Sequence, residues 1–234
     1  MLGSTGGGSV PGIAAAIRYA ADKGAHVINM SLGGPLPSRV MAKAVEYAHE
    51  KGTTVICAAG NEKRSRFSYP AAYDQPNILS VAATDSNAHP ASFSQYGSNV
   101  DLAAPGVQVL STTPNNGYSS FSGTSMATPH VAGGVALVYS VLGNANYQDV
   151  IDIILNTVRP VPGLSGVVVT GGVLDVEAAL EASFLGPVID VRTAIPEFIA
   201  AGESLVVRVD MDAREDVVVA GSRQLKLRTG GAIG

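Results

Sequence analysis

Short apolar runs alternate with amphipathic helical stretches over residues 9–82, and this alternation constrains the fold more than any other feature. Residues 9–24 read as a helix: Ile13, Ile17, Ala20 and Ala21 recur at helical spacing, Ser9 suits the cap, Pro11 the first turn and Gly24 the stop. His26–Met30 reads as a buried-type strand, followed by a loop at Ser31–Pro35. A second helix spans about residues 38–51, with Val40, Ala44, Val45 and Ala48 on one face. Thr53–Ala59 and Ile78–Ala82 are two more continuous apolar strands. Such an order implies an α/β fold, doubly wound around a mostly parallel sheet with helices on both faces. Sites in such sheets lie at the carboxyl ends of the strands. Two of these ends lead into polar, glycine-bearing loops, Ser31-Leu32-Gly33-Gly34 and Gly60-Asn61-Glu62.

Further along, residues 83–124 are loop-rich, with short extended pieces at Val107–Leu110 and Tyr118–Phe121. Helices follow at Ser125–Leu142, Asn146–Thr157 and residues 174–183. From Gly186 the pattern becomes period two, with Leu205, Val207 and Val209 alternating with polar residues. The chain therefore divides near residues 184–187, into an α/β domain over 1–184 and the start of a β-rich accessory module over 185–234. With 234 residues, 46% of them hydrophobic, it has enough apolar material for a sizeable core.

Composition removes several functional classes. A net charge of −4 lacks the basic footprint of a nucleic-acid binder. No run of 18 apolar residues marks a membrane span. One cysteine excludes an internal disulfide framework, and the four histidines fall in no metal-ligand spacing, so no metal site is expected. Met1–Gly8 has neither the basic nor the apolar region of a signal peptide, and both ends of the sequence read as cut. Gly3–Gly8 lacks the ending of a phosphate loop and reads as a flexible turn. Cys57 reads as a packed core thiol, and Glu177 and Glu181 as a solvated helix face.

The chemistry concentrates in Phe121–Gly133, where a Gly-Thr-Ser turn opens directly into a long apolar helix. Ser125 then sits at the positive end of that helix, where free N–H groups and the helix dipole stabilise a developing oxyanion. An isolated serine at such a place is ordinarily only a cap. Here the run Gly123-Thr124-Ser125-Met126-Ala127-Thr128-Pro129-His130-Val131-Ala132-Gly133 resembles the nucleophile motif of the subtilisin-like serine peptidases, the subtilases. Five further segments fall in that family's order: Ser31–Gly34, Ala58–Glu62, Tyr69-Pro70-Ala71, Ser92–Gly97 and Ala103–Val107. The resemblance covers about residues 1–182.

The resemblance implies a serine endopeptidase. Ser125 matches the nucleophile and Asn61 the side-chain donor of the oxyanion hole. Ser31, Leu32 and Gly33 match the edge that pairs with an extended substrate. Ala58, Ala59 and Gly60 match one wall of the pocket for the side chain before the scissile bond. Those small residues imply a preference for a large apolar side chain. The loop Lys63-Arg64-Ser65-Arg66 beside it reads as a solvated surface loop. The family orders its triad Asp, His, Ser. The Asp-Ser/Thr-Gly and His-Gly-Thr-His motifs that carry the first two are not in this sequence. His26, His49, His89 and His130 match neither and read as structural. The resemblance therefore implies an N-terminally truncated domain, inactive as it stands. The alternative is a triad-deficient relative that binds extended peptides without cutting them. No organic cofactor is implied, and calcium is an expectation only for the full-length protein, since the spacing after Ala71 and Tyr73 departs from the family's cation-binding segment. Protein or peptide substrates, a pro-segment and secretion are likewise what the resemblance implies.

Overall fold

A computed structural model describes residues 7–63, 68–143 and 145–184. All belong to the first of two units, Met1–Pro187. The β-rich module over 185–234 and most of the basic loop at 64–67 lie outside the described residues. Element order is α1 (Val10–Asp22), β1 (Val27–Met30), α2 (Arg39–Glu50), β2 (Thr54–Ala58), β3 (Ile78–Thr84), β4 (Leu102–Pro105), β5 (Val109–Thr113), β6 (Gly117–Phe121), α3 (Thr124–Leu142), α4 (Tyr147–Asn156), β7 (Arg159–Pro160), β8 (Gly172–Val173) and α5 (Val176–Phe184). The main sheet runs β1-β2-β3-β4-β8-β7. It is parallel from β1 to β8, and only β7 runs against its neighbour. The fold is α/β around a mostly parallel sheet, as its sequence pattern implies.

Local signals explain the helices. Ser9 Oγ accepts from Gly12 N–H at 3.3 Å and Ser38 Oγ from Met41 N–H at 3.4 Å, each closing a helix start. Asn146 Oδ1 accepts from Gln148 N–H and Asp149 N–H at 2.7 and 3.1 Å. Gly24 and Gly52 follow α1 and α2 at φ 72° and 74°, the left-handed turn that ends a helix most cheaply at glycine. In the loop-rich stretch 83–124 the extended pieces read at Val107–Leu110 and Tyr118–Phe121 fall on β5 and β6, which form an antiparallel hairpin, whereas the strand at residues 102–105 has no counterpart in the sequence reading. β4 escapes a propensity reading because Leu-Ala-Ala-Pro has little strand character; its flanking strands specify it.

Strand alternation distributes the core. Val55 and Cys57 of β2 pack with Met30, Ile13, Ile17 and Val45 beneath α1 and α2. Ile56, between them, packs on the other face with Leu79, Val81, Val131 and Val135 beneath α3. Helix α3 is nineteen residues long and apolar enough by length and composition to cross a membrane. Its Ala127, Val131, Val135 and Val138 are instead buried against the sheet. Cys57 is fully buried, and burial pushes its thiol up, which leaves it unreactive.

One half-buried carboxyl at the edge of the core gives the fold a pH signature. Asp101 precedes β4, and its carboxylate accepts from Ser80 N–H at 2.7 Å. Burial pushes its pKa up to about 6, against the opposing effect of that hydrogen bond. The native state then holds a proton that the unfolded chain releases, so this residue's contribution falls as pH rises from about 4 to about 6. Asp101→Asn keeps the acceptor and removes the titration. Urea unfolding across pH 4–8 is expected to show the variant gaining stability over the parent above pH 6, by about 2 kcal/mol. Identical pH slopes would contradict this.

Candidate active site

Parallel pairing of β1 with β2, in the register Val27↔Thr54 to Met30↔Cys57, brings the segments that follow both strands to one edge of the sheet. Ser31–Gly34 and Gly60–Glu62 emerge there, and α3 begins between them. A close backbone approach fixes that start. Gly123 N–H donates to Gly106 O at 2.8 Å, and Gly106 N–H to Thr84 O at 2.9 Å. A Cβ at Gly106 would lie 2.7 Å from Ala83 Cβ and 2.8 Å from Gly123 O, so no other residue fits without displacing the turn.

The cap of α3 comes from a distant residue. Gly123 supplies no side chain, and Asn61 Oδ1 instead accepts from Thr124 N–H at 2.8 Å and from Thr124 Oγ1 at 3.0 Å. Thr124 Oγ1 in turn accepts from Gly60 N–H at 3.2 Å. With Oδ1 doubly engaged, the Asn61 amide is oriented and its Nδ2 is left as the donor. That atom would lie 3.3 Å from a Cβ placed on Gly123, beside the start of the helix.

Ser125 is the second residue of α3 and half-buried. Its N–H belongs to the first turn, whose N–H groups have no acceptor within the helix. Its Oγ donates to Ser31 O at 3.3 Å. Ser31 Oγ returns a hydrogen bond to Ser125 O at 2.8 Å and accepts from Asn29 Nδ2 at 2.9 Å. The two serines thus tie β1 to α3.

A cleft of about 590 Å³ opens beside this tie. Leu32, Gly33, Ala58, Gly60, Asn61 and Ser125 line it, together with Glu62, Ser68, Tyr69, Gln95 and Thr124. Leu32 and Gly33 make no hydrogen bond with the other described residues, so their backbone groups are open to a partner. Gly34 closes that freedom by pairing with Tyr69, N–H to O, at 3.0 and 2.8 Å. The structure adds two details to the sequence reading. The Ala59 side chain is 1% exposed and packs with Ala82 and Ala103 on the sheet's opposite face, as alternation along the chain requires, which leaves only its backbone for the cleft. Ser31 lies directly against Ser125, joined to it by both of the hydrogen bonds between them. Ser68 and Gln95 were not anticipated. They reach the cleft through long-range pairings, Tyr69 with Gly34 and Gln95 N–H with Gly60 O at 2.9 Å, which local sequence does not signal.

Among the described residues no histidine reaches Ser125. His26 packs against Tyr139 with tilted rings and His49 lies edge-on to Tyr147. His130 Nδ1 sits 2.8 Å from Met126 O on α3. His89 and Asp85 pair at 3.3 Å in an exposed loop, where N–H groups of His89 and Asn87 help hold the Asp85 carboxyl below its usual range. No three His, Cys, Asp or Glu side chains converge among the described residues, so the carboxylate set that calcium favours is not found there.

Comparison with known proteins is consistent across sequence and structure. The pattern of the subtilase family matches residues 1–177. Subtilisin Savinase of Lederbergia lenta is 51% identical over 138 residues, 59% of this chain and 51% of that protein. Thermitase of Thermoactinomyces vulgaris is 49% identical over 140 residues, 60% of this chain and 50% of that protein. Alkaline elastase YaB of Bacillus sp. (strain YaB) is 51% identical over 138 residues and is covered to 36%. The chain therefore spans between 36% and 51% of the length of these relatives. Among solved structures, a protease from Pseudoalteromonas arctica PAMC 21717 superposes with a TM-score of 0.69 at 33% identity, over 76% of this chain and 60% of that one. The prenylagaramide maturation protease PagA superposes with a TM-score of 0.66 at 29% identity, over 74% and 67%.

Proposed function

The chain belongs to the subtilase family, and we propose that its cleft hydrolyses peptide bonds through an acyl-enzyme on Ser125. The observation that carries this reading is the joint placement of Ser125 at the α3 N-terminus and of Asn61 with its Oδ1 engaged on Thr124. Ser125 Oγ attacks the carbonyl carbon of a substrate laid along Leu32 and Gly33 by strand addition. The carbonyl oxygen becomes an oxyanion, which the Ser125 N–H and Asn61 Nδ2 meet as its charge develops. The bond to the leaving amine breaks, the acyl group stays on Ser125, and water releases it.

Deprotonating Ser125 requires a base that the described residues do not place there. As described, Oγ donates to the Ser31 carbonyl, which cannot accept a proton in the reaction. We assign the base and its orienting carboxylate to sequence outside this chain, so the 234-residue chain alone turns over poorly. Export from the cell belongs to the same proposal, and fractionation of the producing cells checks it.

Incubating a long peptide with the whole gene product, and sequencing the new amino termini, tests the reading. Cleavage by the whole product and little by the 234-residue chain is the expected result. Binding of the peptide by both without any new terminus would overturn it and favour a peptide-binding relative that does not cut.

A further inference from the structure

The lining of the cleft includes a buried amide that the reaction does not use. Gln95 is 3% exposed, lines the cleft, and its Oε1 has no hydrogen-bond partner. Its backbone is held firmly: its N–H donates to Gly60 O at 2.9 Å, and Ser94 Oγ donates to its carbonyl at 3.1 Å. Gly60 makes room for the side chain, because a Cβ there would lie 2.2 Å from Gln95 Oε1. Gly60 also has φ 116°, a backbone that side-chain-bearing residues rarely adopt. The same glutamine also lines a second, largely apolar cavity of about 250 Å³, with Ala82, Pro90 and Leu164.

An unpaired polar atom in a buried wall is costly, and a ligand that pairs with it recovers that cost. We propose that Gln95 is a specificity-determining residue, which selects substrates whose side chain before the scissile bond ends in an uncharged hydrogen-bonding group, tyrosine over phenylalanine. The carboxamide can accept from a phenol hydroxyl through oxygen or donate to it through nitrogen, so either orientation of the amide serves. A site with a buried hydrogen-bonding group rejects the analogue that lacks the matching group more strongly than an apolar pocket tells one methylene from none. The pocket's small residues admit the ring, and Gln95 reads its tip. This inference rests on the peptide-binding reading of the cleft proposed above.

The test measures binding, so it does not depend on turnover. Two acetylated tetrapeptides, identical except for a C-terminal tyrosine or phenylalanine, are titrated calorimetrically into the 234-residue chain and into Gln95→Leu. The tyrosine peptide is expected to bind the parent about tenfold more tightly, the worth of one hydrogen bond. In Gln95→Leu the two peptides are expected to bind within twofold of each other, about the spread left once the hydrogen bond is gone. Gln95→Met provides the same comparison should the leucine variant fail to fold. Equal binding by the parent, or an unchanged tyrosine preference in the variants, overturns the inference and leaves the peptidase reading standing. Binding of neither peptide overturns both.

Discussion

Ser125→Ala in the whole gene product is expected to remove peptide hydrolysis while leaving the fold intact. Turnover should drop by about 10⁶, a magnitude carried over from a subtilisin. Stability should change by less than about 1 kcal/mol, since the hydroxyl makes one long hydrogen bond, to Ser31 O at 3.3 Å. The bond that ties β1 to α3 more tightly runs from Ser31 Oγ to the Ser125 carbonyl at 2.8 Å, and alanine keeps that carbonyl. Initial rates on a chromogenic peptide, beside thermal unfolding of both proteins, separate loss of chemistry from loss of structure. Residual cleavage near the parent rate would remove Ser125 from the mechanism.

Asn61→Ala should be the next largest effect, and it acts on two quantities at once. Removing Nδ2 takes a donor from the developing oxyanion, which costs about 10²–10³ in kcat with little change in KM; the figure is again that of a subtilisin donor. Removing Oδ1 strips Thr124 N–H of the acceptor it meets at 2.8 Å and so uncaps α3, at about 1 kcal/mol of stability. Asn61→Asp divides these roles. The aspartate keeps an acceptor for Thr124 and places negative charge where the oxyanion forms. Its unfolding midpoint should recover toward the parent while kcat stays low. A variant that regains both would show that Asn61 serves only as a cap.

How much of this was legible in the sequence depends on the range of the contacts involved. β1, β2 and β3 are continuous apolar runs, and α1, α2 and α4 carry their caps beside them in Ser9, Ser38 and Asn146, so local physics specifies them. The strands β4, β7 and β8 are four, two and two residues long and exist only because neighbours pair with them. The site divides the same way. Ser125 and Asn61 were readable from their runs of neighbours. The capping of α3 by Asn61 was not, because 63 residues separate donor from acceptor. Nor was Gln95, whose place in the cleft depends on residues 93–95 pairing with 60–63. Ala59 shows the limit of reading a motif as a wall of side chains: strand alternation turns the side chain of the middle residue to the opposite face.

The two backbone approaches that shape the site also have a sequence cause. Gly106 closes the run Ala103-Ala104-Pro105-Gly106, and that glycine lets the chain before α3 rest on β3. Gly60 does the same for Gln95. Both glycines belong to segments that matched the family's order; packing against Ala83 and the Gly123 carbonyl excludes a side chain at Gly106, and a φ of 116° strains one at Gly60.

The most direct measurement of the central claim is to trap the covalent intermediate. The whole gene product is mixed with an activated peptide ester, stopped in acid within the first turnover, and digested for mass spectrometry. The account requires the acyl group on the peptide that contains Ser125, and its absence from Asn61→Ala stopped at the same time. Product accumulating with no acyl group on that peptide, or with the group on another residue, would contradict it.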